Sequence, residues 1–241
     1  MQRSIGNLKH VGKAAKMFIG VTTTSKTQID QLGDRLRKGE VSEEDIGLLE
    51  SYRLSFAEAY EEVVACIQNA AQLEPTGRRA KSTTSIIEKL RRETIRLSQM
   101  QDIAGCRLVV RDVLVQDKVV EQIRGKLAKA VIVGRRKQPS YGYRAVHIIA
   151  TARNRPIEIQ VRTELQHLWA QLSEKLSDAR GSAIKYGGGD SESRRLLSTL
   201  SQTVEDLEDL ELRPDTIDLA RVMKPLVRSL VELASAVQGG K

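Results

Sequence analysis

The sequence holds only two cysteines, Cys66 and Cys106, both inside apolar patterned segments and neither at metal-ligand spacing. That excludes a disulfide-stapled scaffold and a cysteine-built zinc site, and it suits free thiols in a reducing compartment. No apolar run approaches the ~18 residues a membrane span needs, and no secretory leader is recognisable. The expectation is a cytoplasmic protein that does not cross a membrane. Aromatic residues make up only 3% of the chain, so a core drawn from its 40% hydrophobic residues must be mostly aliphatic. No GxxxxGK[ST] loop is present, which excludes the commonest phosphate-binding turn. Gly187, Gly188 and Gly189 read as a flexible joint rather than a phosphate cradle. There is no internal repeat, and 241 residues fit one compact domain with extensions or two small domains.

Positive charge is abundant. Lys and Arg number 39 against 31 Asp and Glu, a net charge of +8. A surplus of that size favours polyanionic partners such as nucleotides, RNA or membrane surfaces, although it also serves solubility alone. The opening "MQRSIGNLKHVGKAAKMFIG" is basic and partly amphipathic, and suits either a flexible arm or a helix docked on the body.

Apolar spacing predicts helices at 27–38 and 42–70, the latter capped by Ser42 with Asp45 and carrying Ile46, Leu49, Tyr52, Phe56, Tyr60, Val63 and Ile67. After the break "EPTGRRAKS", a helix is expected over about 82–96. "DIAGCRLVVRDV" reads as a strand and "LVQDKVVEQIRGKL" as a helix. "AVIVG", "RAVHIIATA" and "PIEIQVRT" read as strands, and Thr163 with Gln166 caps a helix over 164–178. Leu165, Leu168, Trp169, Leu172 and Leu176 form its core stripe. Two further helices close the chain, the second interrupted by Pro225. The order predicts an α+β fold: a mixed, mostly antiparallel sheet of about five strands with flanking helices. The expected division is a basic N-terminal extension (1–41), a central domain (42–185) and a C-terminal helical extension (190–241).

Four segments place polar groups where packing does not ask for them. In "GRRAKSTTSIIEKLRR", Arg79 and Lys81 precede a helix start. Ser85, Lys89 and Arg92 share one face of that helix, giving a polyphosphate clamp or simply a solvated basic face. Asp102 precedes a strand, as a turn residue or a Mg²⁺ ligand, and Arg107 offers a flat guanidinium for base stacking. In "SYGYRAVH", Tyr143, Ala145 and His147 project to one side beyond Gly142, which permits a sharp turn. Tyr143 is there either a stacking platform or a core tyrosine. In "PIEIQVRT", Ile157, Ile159 and Val161 alternate with Glu158, Gln160 and Arg162, and a strand with one such polar face needs a cleft.

In order, these motifs resemble the synthetase domain of the RelA/SpoT family, across roughly residues 42–180. They are R-x-K-x3-S-x3-K from Arg79 to Lys89, D-x4-R at Asp102 and Arg107, GY-R-x2-H at Gly142, Tyr143, Arg144 and His147, and EIQVRT from Glu158 to Thr163. The resemblance implies a nucleotidyltransferase-like fold and an ATP pyrophosphokinase. Such an enzyme moves the β,γ-diphosphate of ATP to a ribose 3′-hydroxyl and releases AMP. By that resemblance Arg79 and Arg107 sandwich adenine, while Lys81, Ser85, Lys89 and Arg92 hold phosphates. Asp102 and Glu158 bind Mg²⁺, and Glu158 is also the general base. Tyr143 stacks on the acceptor base, supported by His147, Gln160, Arg162 and Lys137.

The acceptor is the open point. Guanosine-using members usually carry a lysine four residues before the stacking tyrosine. Here that position is Pro139, with Arg136 and Lys137 further back. Together with the +8 charge and the basic stretches, this favours the toxic small alarmone synthetase branch, whose members include enzymes that modify the 3′-terminal adenosine of tRNA and stop translation. GDP or GTP as acceptor, giving (p)ppGpp, is the alternative, with (pp)pApp synthesis a variant of it; a catalytically dead nucleotide- or RNA-binding module is the third reading. The family's hydrolase and regulatory domains have no counterpart in the sequence, so restraint is expected from a neutralising antitoxin protein or antitoxin hydrolase. The helices within 191–237 suit inhibition, oligomerisation or plain packing. His10 and His167 receive no role.

Overall fold

The structure, a computed structural model, describes residues 24–78, 80–213 and 215–238. Helix α1 (Lys26–Lys38) opens with a capping box between Ser25 and Gln28 and ends on Gly39, whose φ of +85° only glycine adopts cheaply. It sends Ile29, Leu32 and Leu36 into the main core. Gly33 lies where any Cβ would come within 2.8 Å of Leu97 Cβ, so the missing side chain lets this helix approach the 3-10 turn at Leu97–Gln99.

The single helix expected over 42–70 is instead two, α2 (Glu43–Leu54) and α3 (Ala57–Ala71). The Ser42–Asp45 capping box is present as expected. The break has a local cause. The Ser55 hydroxyl donates to the Tyr52 carbonyl at 2.6 Å, competing with the helical ladder. Phe56 then turns fully into the core, edge-on to Tyr52 at 5.3 Å. The helix expected over 82–96 stops early, as α4 (Thr83–Arg92). Arg37 Nε donates to the Leu90 carbonyl at 2.8 Å, satisfying a helix-end acceptor that would otherwise demand another turn.

Five strands form one mixed sheet in the order β1-β2-β5-β4-β3: β1 (Thr76–Arg78), β2 (Ala104–Val110), β3 (Ala130–Gly134), β4 (Val146–Ala152) and β5 (Arg155–Thr163). Only β2 and β5 run parallel; the other pairings are antiparallel. Helix α5 (Val113–Arg124) makes the crossover after β2 and packs on the same side of the sheet as α3. Ile157, Ile159 and Val161 of β5 are fully buried in that core.

The opposite side belongs to α6 (Glu164–Arg180), α7 (Ser191–Glu211) and α8 (Ile217–Gln238). The Thr163–Gln166 capping box starts α6 as expected. Trp169, Leu172 and Leu176 are buried against Leu197, Leu200 and Val231, with Leu168 partly buried beside them. Leu165 packs with Val204, Leu207, Ala220 and Val227. Helix α8 runs through Pro225 without ending. Among the described residues no helix is long and apolar enough to cross a membrane. The basic opening stretch and His10 lie outside the described residues.

Candidate active site

The polar face of β5 is set beside its neighbours by register. The parallel pairing puts Gly105 against Glu158 and Arg107 against Gln160, and the antiparallel pairing puts His147 against Gln160. Gly105 is required for this. A Cβ there would sit 2.5 Å from the Glu158 carbonyl oxygen, so a larger residue would push β2 away from β5. Alternation on β5 then directs Glu158, Gln160 and Arg162 away from the aliphatic core.

Those side chains close a hydrogen-bonded ring with two residues from the β4 side. Arg162 donates to the Tyr143 hydroxyl at 3.0 Å and to Gln160 Oε1 at 2.8 Å. Gln160 Nε2 donates to Glu158 Oε2 at 2.8 Å. Tyr143 Oη lies 2.9 Å from His147 Nε2, and His147 Nδ1 lies 2.7 Å from Glu158 Oε1. One assignment satisfies every contact with a neutral imidazole: Tyr143 donates to Nε2, and Nδ1–H donates to the carboxylate. Both arms therefore start at the Arg162 guanidinium and end on Glu158. Burial works to raise the Glu158 pKa, but the bonds from His147 and Gln160 prevail and hold it below the usual carboxylate range. Burial pushes the Tyr143 phenol up, which keeps it a proton donor.

Across the groove stands a cationic wall. Ser82 caps α4, and its hydroxyl also donates to Ser85 Oγ at 2.8 Å. Lys81 and Lys89 reach Asp102, each to a different carboxylate oxygen, at 3.0 and 2.9 Å. Burial opposes the ionised form of Asp102, and the two lysines overcome it, so its pKa is lowered.

Asp102 and Glu158 line the same cavity of about 1050 Å³, together with Lys81, Ser85, Arg92, Arg107, Gln160 and Arg162. Lys89 touches the cavity through Asp102; Tyr143 and His147 stand behind Glu158. Lys137 is elsewhere: its ammonium is held by Asp209 at 2.5 Å and Glu205 at 3.5 Å, on α7. Arg79 lies outside the described residues. Cys106 also borders the cavity, but burial first and Glu158 second push its thiol up to about 12, so it stays protonated.

Sequence reasoning missed the roof. A 3-10 turn at Ser182–Tyr186 covers one end of the cavity with Lys185 and Tyr186. The Arg92 guanidinium stacks on the Tyr186 ring, 3.7 Å from its centroid. The same strap reaches the opposite loop, because Gly187 packs on the Tyr141 ring so closely that a Cβ would meet Cδ1 at 2.4 Å. The only signal in the sequence was the glycine run itself, at Gly187 and Gly189, both with positive φ.

Residues 78–177, which carry both walls of the groove, match the family described as "Region found in RelA / SpoT proteins". Over those residues the chain is similar to the RelA/SpoT region. Uncharacterized proteins of Mycobacterium tuberculosis and Mycobacterium bovis are each 35% identical to it over 171 residues, covering 67% of this chain and 62% of theirs. The chain thus spans less than two thirds of the length of these curated relatives. Solved structures resemble its fold, among them the following two. Small alarmone synthetase 1 from Bacillus subtilis has a TM-score of 0.55 at 20% identity, covering 74% of this chain and 97% of that one. A GTP pyrophosphokinase family protein from Streptococcus pneumoniae has a TM-score of 0.53 at 23% identity, covering 76% and 98%. The α+β architecture with helices flanking a mixed sheet is thus shared, while the matched residues 78–177 supply the polar face of β5, Asp102, Lys81 and Lys89.

Proposed function

We propose that this chain is an ATP pyrophosphokinase that moves the β,γ-diphosphate of ATP onto a ribose 3′-hydroxyl and releases AMP. The observation that carries the reading is that Glu158 and Asp102 border one cavity together with Lys81, Ser85, Arg92 and Arg107. Transfer of a phosphoryl group is mostly alignment and charge neutralisation, and this groove offers both. Glu158, ionised and hydrogen-bonded from two sides, takes the proton of the attacking hydroxyl. The Tyr143–His147 arm fixes the direction in which its carboxylate points.

The donor set fits Mg²⁺. Among the described residues no three His, Cys, Asp or Glu gather as an all-protein metal cage. Two carboxylates facing a cavity are what an ion prefers that keeps its remaining positions for water and phosphate oxygens. Asp102 and Glu158 would hold it, and it would neutralise charge on the leaving phosphate. Lys81 and Lys89 rest on Asp102 and would be released toward the triphosphate if an ion took that carboxylate.

The preferred acceptor in this reading is the 3′-terminal adenosine of tRNA, which makes the chain a translation inhibitor of the toxin–antitoxin or phage-defence kind, restrained by an antitoxin. Two features support it. Pro139 stands where guanosine-using members carry a lysine, and Lys137, the nearby candidate to replace it, is bound to Asp209 on α7. The surplus of +8 suits a phosphate backbone. Incubation with γ-labelled ATP and GDP, GTP, ATP or deacylated tRNA tests it: label on tRNA alone is expected, and label confined to guanosine nucleotides defeats it.

The roof yields a further expected result. Tyr186 holds Arg92 at the cavity edge by a cation–π contact of the kind worth ~0.5–2 kcal/mol. Tyr186→Ala should raise the KM for ATP by roughly 3–30-fold with kcat little changed. Tyr186→Phe keeps the ring and should stay near wild type. Identical KM values for all three proteins would remove Tyr186 from the site.

A further inference from the structure

Helix α8 has two apolar faces. One buries Ala220, Val227 and Val231 against α6 and α7. The other is bare: Leu219 is 53% exposed, Val222 67%, Leu226 62%, Leu230 51% and Leu233 63%. These five share one stripe of the helix. No charged residue interrupts the stripe. Lys224 and Arg228 turn inward instead, to Glu211 and Glu164, and Arg221 is held by Asp218 at 2.8 Å.

The spacing of the stripe is a palindrome. The steps between its members are three, four, four and three, symmetric about Leu226. Two such helices related by an antiparallel two-fold axis set Leu226 on Leu226, Leu219 on Leu233 and Val222 on Leu230. A surface that matches itself under a two-fold is what an isologous dimer needs. Leucines recur every seventh residue, at 219, 226 and 233, as in a coiled-coil seam. With Met223, 39% exposed, the stripe presents on the order of 600 Å², near the ~800 Å² per partner of a standard interface. A bare apolar patch at the upper end of what monomers tolerate is a surface waiting for cover.

We propose that α8 is a homodimer interface, and that its occupant is the α8 of a second copy, antiparallel and centred on Leu226. The pairing is independent of the groove and leaves the cavity to each protomer. It also predicts which residues compensate for one another.

Sedimentation equilibrium of the full chain across micromolar concentrations tests it, with circular dichroism as the control for folding. The wild type should sediment as a dimer. Leu226→Glu brings two like charges together on the axis and should give a folded monomer. Leu219→Lys should weaken the dimer at least tenfold, and adding Leu233→Glu in the same chain should restore it, because the antiparallel register sets those two positions against each other. A wild type that stays monomeric overturns the proposal and leaves the face to the chain's own first residues or to a different protein. A dimer that survives Leu226→Glu overturns it as well, as does a doubly substituted chain that folds but does not pair.

Discussion

Glu158→Gln is expected to cut turnover by about 10²–10⁴-fold while ATP binding stays within a few-fold of wild type. The substitution keeps the size of the side chain and removes its capacity to take a proton. It also sets two donors against each other. In the native ring Glu158 receives His147 Nδ1–H and Gln160 Nε2–H. A carboxamide has one oxygen and one NH₂, so one of those bonds must be lost or the imidazole must change tautomer. The residues proposed to hold ATP are untouched, since Ser85 and Lys89 lie on α4 and Lys81 just before it, away from β5. Single-turnover transfer from labelled ATP, with ATP affinity measured by calorimetry, separates the two effects. Undiminished transfer would exclude Glu158 as the base, and loss of ATP binding to the same extent would mean that its role is to hold nucleotide.

Removing α7 and α8 should abolish folding rather than release a more active enzyme. Trp169, Leu172 and Leu176 would lose the helices that cover them, and Trp169 Nε1 would lose its bond to the Leu197 carbonyl. The damage would also reach the loop behind the groove. Arg144, 5% exposed, pairs with Glu205 at 2.7 Å and donates through Nε to Ser201 Oγ at 2.9 Å. Ser201 in turn donates to the Gly142 carbonyl at 2.7 Å. Gly142 has a φ of +86° and lies against Trp169, where a Cβ would meet the indole at 2.7 Å. So α7 fixes the turn that delivers Tyr143 to the ring. Glu205→Leu is the smaller version of the same experiment. It strands a buried guanidinium, and a loss of about 3 kcal/mol in urea unfolding is expected. A truncated chain that stays soluble, unfolds cooperatively and turns over faster than wild type would instead make these helices an inhibitory segment.

Strand β5 was legible because its two faces are chemically opposite, and period-two alternation makes the side of each residue a matter of counting. The caps at Ser42 and Thr163 were legible because a capping box is a local device that nothing distant overrides. The split between α2 and α3 was not, since no proline or glycine marks it. It depends on one serine hydroxyl and on how Tyr52 and Phe56 meet. The site residues could be named from motif order, but their directions could not. That Asp102 faces Lys81 and Lys89, and that Lys137 turns to α7, are tertiary facts. Gly105 went unnoticed because its importance lies in the Glu158 backbone across a parallel pairing. Tyr186 was invisible because "GSAIKYGGGD" has no periodicity to place it on a face.

The most direct test of the central claim is the identity of the nucleotide released. Analysis of ATP turnover by phosphorus NMR in the presence of Mg²⁺ and the labelled acceptor should show AMP, in step with a diphosphate on the acceptor's 3′-oxygen. ADP or inorganic phosphate as the product, with no diphosphate on any hydroxyl, would mean that the groove between Glu158 and Lys89 cleaves ATP at a different bond, and the account given for its residues would fail.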